Sequence, residues 1–261
     1  MKKHPFLLVT ALTVALTANA QSCHDGNHPH AIDLGLPSGT KWACCNVKAT
    51  TPEGYGVYYA WGETEKKEIY NWTTYIHCDG SETTCHDLGS DIAGTEYDVA
   101  HIQWGGSWAM PSQAQLQELA NKCSYSWTTK NSIDGAQFTG PNGSSIFLPA
   151  GEICSNGLLE DPMHGGNYWS STQSTLNNCA YRLSFDSWGA SGGGSYPRGI
   201  GLTVRPVMSE TTNMIPSRTP ANGTSQAVYN ICGIKVKDNK VDLRALPPGI
   251  YVVNGKKIVI K

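Results

Sequence analysis

Long apolar runs are missing from this 261-residue chain once its first segment is passed. Nothing beyond residue 20 approaches the roughly 18 consecutive apolar residues a membrane-spanning helix requires, so no transmembrane segment is expected. Charge is scarce as well. Charged residues make up 15% of the chain, and 19 basic residues nearly cancel 21 acidic ones. A near-neutral chain is steered toward neither nucleic acid nor anionic membrane, which removes both as expected partners. No Cys-x-x-Cys occurs, so the dithiol redox motif is excluded. No Cys/His set has zinc-site spacing, and no metal is expected. Nowhere do acids, bases and nucleophiles cluster as a reaction centre would require, and no long internal repeat is present.

What the chain does hold is glycine (28), tyrosine (12) and tryptophan (8) in quantity. That composition suits a loop-rich extracellular β fold with aromatic contacts. Lys2 and Lys3, the apolar stretch Phe6 to Leu16 and the small residues Ala18-Asn19-Ala20 read as a secretory signal peptide over 1–20, cut before Gln21. A flexible leader over 21–30 follows, with His24, His28 and His30. A second reading, lipid attachment at Cys23, stays open: Gln21 is an unusual neighbour for a modified cysteine, yet setting Cys23 aside leaves an even number of the nine cysteines. Export places the thiols in an oxidising compartment, where they pair if geometry allows. Cys78 and Cys85 bracket a short polar loop and form the best local pair. Cys154 and Cys179 flank the Trp169 strand and form the second. Adjacent Cys44 and Cys45 on a strand would point to opposite faces, so only one is expected in the core.

The pattern runs continuously from Ala31 to Met208. It gives way over 209–227 to a linker with Pro216, Pro220 and Asn222-Gly223, then to a short β-rich tail over 228–261. The best-defined element is a helix over 112–122. Ser112 and Gln115 make a capping box, and Leu116, Leu119, Ala120 and Cys123 form one apolar face. Residues 102–110 read as a loop packed through Trp104 and Trp108. Strands are expected at Ala31 to Leu34, Lys41 to Val47, Gly56 to Gly62, and on either side of the turn Pro141-Asn142-Gly143.

Tyr168 to Val207 carries the functional signal. It reads as three strands, with a Gly/Ser-rich turn at Gly192-Gly193-Gly194 between the last two. In Tyr181 to Asp186 apolar and polar residues alternate, as in a strand with one buried and one exposed face. Arg182, Ser184 and Asp186 fall on the exposed face. Trp188, Tyr196 and Arg198 fall on the loop. Large aromatics and an Arg on a loop between firm strands are what a binding surface is made from. Trp188 and Tyr196 could stack on a sugar ring or an apolar patch, and Arg198 could pair with a carboxylate.

Three runs, Asp33-Leu34-Gly35-Leu36-Pro37-Ser38-Gly39-Thr40-Lys41-Trp42-Ala43, Gly56-Val57-Tyr58-Tyr59-Ala60-Trp61-Gly62-Glu63 and Gly105-Gly106-Ser107-Trp108-Ala109-Met110-Pro111-Ser112, together resemble the Fibrobacter succinogenes major paralogous domain. So does the stretch from Trp169-Ser170-Ser171-Thr172 to Val204-Arg205-Pro206-Val207. The resemblance covers 31–208. It implies an α+β, C-type-lectin-like fold of mostly short antiparallel strands with one main helix and, by position in such scaffolds, ligand contacts at Asp186, Trp188, Ser191, Tyr196 and Arg198, with Arg182 and Ser184 on the exposed strand face. Trp42, Trp61, Trp108 and Trp169 lie inside its motifs, Trp104 directly precedes one, and all five are expected in the core. The tail, with Val228-Tyr229-Asn230-Ile231, Leu246-Pro247-Pro248-Gly249-Ile250-Tyr251 and the terminal Ile-Val-Ile-Lys, is similar to type IX secretion sorting domains. That implies the cell surface or the extracellular space, with attachment at the outer membrane as one route.

The same scaffold is akin to that of formylglycine-generating enzyme, which raises a thiol-dependent oxidase; structural cysteines are the simpler reading of an exported chain. Calcium would need converging oxygens. The segment from Glu152 to Tyr168 offers Glu152, Asn156, Glu160, Asp161 and Asn167 near Pro162, but lacks the triplets of calcium-dependent C-type lectins, so no cofactor is expected. The sequence thus points to an exported, non-enzymatic binding protein for a glycan or a surface protein. The alternative is a structural or fimbria-associated surface component, and the oxidase comes third.

Overall fold

The computed structural model describes residues 30–160 and 165–208 and, further on, the backbone of 228–230, 235–237, 249–253 and 256–260. The expected signal peptide, Cys23, His24, His28 and the 209–227 linker lie outside the described residues. The chain divides into two compact units, Met1–Glu210 and Thr211–Lys261.

The first unit opens with strands β1 (Ala31–Asp33) and β2 (Lys41–Ala43), an antiparallel pair in which Ile32 faces Trp42. Helix α1 (Val99–Trp104), strand β3 (Trp108–Ala109) and helix α2 (Gln113–Lys122) follow an irregular stretch. Strands β4 (Ser124–Lys130), β5 (Ile133–Thr139) and β6 (Ser145–Pro149) make an antiparallel meander. A short hairpin, β7 (Ile153–Ser155) and β8 (Leu158–Glu160), precedes β9 (Gly166–Gln173), β10 (Cys179–Asp186) and β11 (Gly189–Pro197). The last three form an antiparallel sheet with β10 in the middle. Strand β12 (Val207–Met208) then inserts between β2 and β3, so Val207 sits opposite both Trp42 and Ala109. The two ends of the unit are thereby tied into one sheet. The class is α+β: small antiparallel sheets with two helices among the described residues.

Helix α2 starts where its capping box says it should. The Gln115 N–H donates to Ser112 Oγ at 3.3 Å, and Ser112 N–H donates to Gln115 Oε1 at 2.8 Å. Two donors that the helix cannot satisfy internally are matched reciprocally. Its buried face, Leu116 and Leu119, joins Leu34, Trp42, Phe138, Leu148, Tyr168, Leu183 and Phe185 in one core. Each fully buried leucine there contributes about 1.5–3 kcal/mol of transfer free energy. A second core gathers Tyr59, Trp61, Ile92, Met110, Trp169, Leu202 and Val204. Of the five expected core tryptophans, Trp42, Trp61, Trp108 and Trp169 are buried and Trp104 is half-buried against the second core.

Three local expectations are corrected. Residues 102–110 do not form only a loop, because Asp98 caps α1 just upstream. Its carboxylate accepts the N–H groups of Gly94, Ala100, His101 and Met110, binding the helix start to the following strand. The Lys41 strand stops at Ala43, and the chain then bends, so Cys44 and Cys45 no longer alternate and both are buried. Gly56 to Gly62 is not a strand: Tyr59 alone bridges, to Leu202. Tyr59, Ala60 and Trp61 are consecutive and all buried, because this segment threads between core clusters and finds a different acceptor at each step. Tyr59 N–H goes to Leu202 O at 2.9 Å and Trp61 N–H to Arg198 O at 2.9 Å.

In the second unit β13 (Val228–Asn230), β14 (Lys235–Lys237), β15 (Gly249–Val253) and β16 (Lys256–Ile260) form an antiparallel sheet in the order β14-β13-β15-β16.

Candidate binding surface

The turn that carries the candidate residues lies earlier than the glycine run suggests. Strands β10 and β11 pair up to Asp186 opposite Gly189, which puts Ser187 and Trp188 at the tip. Gly192, Gly193 and Gly194 are inside β11, not in a turn. Packing explains this. A Cβ at Gly192 would lie 2.6 Å from the Leu116 carbonyl carbon and the Gln117 nitrogen, so only glycine lets the strand pass this close to the α2 backbone. The pairing also slips by one residue between Arg182–Gly194 and Ser184–Ser191, a bulge that leaves Gly192 and Gly193 opposite Leu183.

The tip is held from two sides. Asp186 Oδ1 accepts the Trp188 N–H at 2.7 Å and the Gly189 N–H at 3.3 Å, closing the turn on itself. The Tyr125 hydroxyl, from β4, donates to the Asp186 carbonyl. Burial, reinforced by the nearby Asp186 charge, pushes the Tyr125 phenol up to about 12, so it stays a donor throughout the neutral range. On this anchored turn Trp188 is 93% exposed. Just behind it Ser184 and Ser191 face each other across the strands, Ser184 half-buried and Ser191 exposed.

Farther down the hairpin the Arg182 guanidinium lies 4.5 Å from the centre of the Tyr196 ring, and both residues are half-buried. They are engaged with each other, in a contact worth about 0.5–1 kcal/mol at partly exposed sites. Arg182 lies four residues from Asp186, about 13 Å along an extended strand. The structure therefore gathers Ser184, Asp186, Trp188 and Ser191 at one end and Arg182 with Tyr196 at the other.

Arg198 belongs to neither group, and its expected role as a displayed cation is corrected. Its side chain is fully buried. Nε donates to Tyr75 Oη at 2.9 Å; one terminal nitrogen donates to Asn177 O at 2.9 Å and Gln173 Oε1 at 3.4 Å; the other donates to His86 O at 2.9 Å. The guanidinium also lies 4.8 Å from the Trp61 ring centre. Neutral oxygens from the irregular stretch before α1, the end of β9 and the β9–β10 turn converge on it, so it works as an internal clamp.

The four disulfide candidates are free thiols here. Cys78 and Cys85 are opposed in a β-bridge. Cys154 and Cys179 are given different neighbours. Cys154 bridges Gly201 and packs beside Tyr70, whereas Cys179 pairs with Pro197, close to Glu82 and Arg198. Among the described residues no group of three or more His, Cys, Asp or Glu side chains is placed to hold a metal ion. Of the calcium-type oxygens, Asn167 is buried, Asn156 Oδ1 accepts from Asn71 Nδ2 at 3.0 Å, and Asp161 lies outside the described residues.

Two features were not anticipated. Tyr125 and Trp127 alternate with Ser124 and Ser126, a period-two signal for β4 that supplies the hydroxyl under Asp186. Asn156-Gly157, both with positive φ, makes the two-residue turn of the β7–β8 hairpin and leaves Leu158 and Leu159 exposed. The Asn-Gly pair was the available signal.

No helix among the described residues is long and apolar enough to cross a membrane. No protein-family model, curated protein or solved structure matches this chain.

Proposed function

We propose that this chain is an exported binding protein that recognises a glycan or a surface protein without covalent chemistry, through the tip of the β10–β11 hairpin. One observation carries the reading: Trp188 stands 93% exposed on a turn fixed by Asp186 and braced by Tyr125. Leaving a tryptophan in water forgoes its large burial free energy, while a rigid backbone beneath it lowers the entropy cost of docking. Ser184 and Ser191 supply polar groups two residue pairs back along the same hairpin. We read the α+β unit as C-type-lectin-like and the second unit as a type IX sorting module that brings the chain to the cell surface.

The test is a glycan array and a panel of immobilised surface proteins probed with the purified chain and with Trp188→Ala. The variant should keep the parent's unfolding midpoint and lose capture of whatever the parent retains. Equal capture by both chains would remove Trp188 from the site and with it this reading.

A further inference from the structure

Cys78 and Cys85 stand directly opposite each other in an isolated antiparallel bridge. The main-chain bond from His86 N–H to His77 O, 2.8 Å long, lies just outside the pair. That pattern marks a site without hydrogen bonds between the facing residues themselves, where Cα atoms lie about 4.5 Å apart and side chains come closest. The separation falls within the roughly 4.4–6.8 Å span that a disulfide bridges. Cys78 Sγ is 3.3 Å from Trp72 O, and Cys85 Sγ is 3.4 Å from Glu82 O. The strand-pairing partners of Cys154 and Cys179, by contrast, are Gly201 and Pro197.

The loop between these cysteines ends on the Arg198 clamp. The guanidinium holds His86 O at 2.9 Å, and Asn177 Nδ2 donates to Cys85 O at 2.8 Å. We propose that Cys78 and Cys85 are an oxidative modification site, closing to a disulfide that fastens the 78–85 loop against Arg198 and the 173–178 turn. Cys85 is the accessible member, being half-buried where Cys78 is buried. Its thiolate attacks a small disulfide such as oxidised glutathione, forms a mixed disulfide and expels one glutathione thiolate. Cys78, after losing its proton to solvent, attacks Cys85 Sγ and expels the second. The protein thiols lose two electrons and two protons, and one glutathione disulfide becomes two thiols. Burial holds the Cys85 thiol above its usual range, with Arg198 pulling the other way, so the exchange quickens as pH rises.

The experiment treats the reduced full chain with a defined mixture of oxidised and reduced glutathione, alkylates the remaining thiols and cleaves after Glu82. The two halves of the loop should stay joined through Cys78 and Cys85, with complete loss of alkylation at both. Cys85→Ser and Cys78→Ser should each abolish the link, the first leaving Cys78 a thiol that alkylates once the chain is denatured and the second leaving Cys85 as a thiol or as its unresolved glutathione mixed disulfide. Mapping on the parent chain decides even if a variant fails to fold. A Cys85–Cys179 or Cys154–Cys179 bridge, or two alkylated thiols in excess oxidised glutathione, would overturn the assignment. Equal amide exchange at His86 in the reduced and oxidised chains would overturn the fastening of the loop.

Discussion

Alanine at Gly192, compared with alanine at its two glycine neighbours, measures how the hairpin is seated. A Cβ at Gly192 would meet the Leu116 carbonyl carbon and the Gln117 nitrogen at 2.6 Å, and both are helix backbone atoms that cannot rotate away. Restoring an ordinary contact near 3.4 Å would move β11 or α2 by about 0.8 Å, and overpacking of this kind costs about 1–3 kcal/mol. At Gly193 the nearest atom to an added Cβ is the Gln117 side-chain nitrogen at 3.8 Å, and at Gly194 nothing lies within 4 Å. Neither has a positive φ, so alanine there gains about 0.4–1 kcal/mol by restricting the unfolded chain. The expected gap between Gly192→Ala and Gly194→Ala is therefore about 1.4–4 kcal/mol. For a unit of this size it corresponds to a Tm difference of about 3–16 °C. Thermal melts followed by tryptophan fluorescence would read it. Equal melting temperatures for the three variants would refute the claim that glycine is required by the helix rather than by a turn.

Replacing Arg198 with Met keeps much of the stem but leaves the carbonyls of His86 and Asn177 without their donor; at about 1–3 kcal/mol for each unsatisfied buried group, urea unfolding should show a loss of about 2–6 kcal/mol. A loss under about 0.5 kcal/mol would show that the clamp is not stabilising. Ser112→Ala should cost about 1 kcal/mol in the same assay by removing the α2 cap, and Ser112→Asn should recover most of it. His77 donates to Gly62 O and packs edge-on against Tyr75 and Tyr97, and burial lowers its pKa from 6.5. Because the folded state resists protonation, its contribution is complete above pH 6.5 and declines as pH falls below that value toward the folded pKa. Replacement by a non-titrating residue should flatten that part of the stability–pH curve. Oxidation of Cys78 and Cys85, closing a short loop, should raise stability over the reduced chain by about 2–3 kcal/mol in denaturant titrations.

Locally encoded features were legible in the amino acids. The α2 cap is a contract between Ser112 and Gln115, three residues apart, and the alternation in β10 lies within a few residues; neither needs a distant partner. The resemblance of the chain's motifs likewise implied an α+β class with buried tryptophans. What contact across the chain decides was not legible. The Gly192 run looks like a turn by composition, and only the approach of α2 makes it a strand. Arg198 looks like a ligand-binding cation, and only the convergence of oxygens near positions 75, 86 and 177 turns it inward. Cys44 and Cys45 would alternate on a strand, but the chain bends after Ala43 and buries both. Trp188 is the reverse case. Its place on an exposed segment could be anticipated from its neighbours, but its standing out in water depends on Asp186 and the remote Tyr125. Side-chain chemistry and short-range periodicity therefore set the elements of this protein, while long-range packing chose which polar and apolar groups reach solvent, because burial is a property of the assembled chain and not of any local stretch.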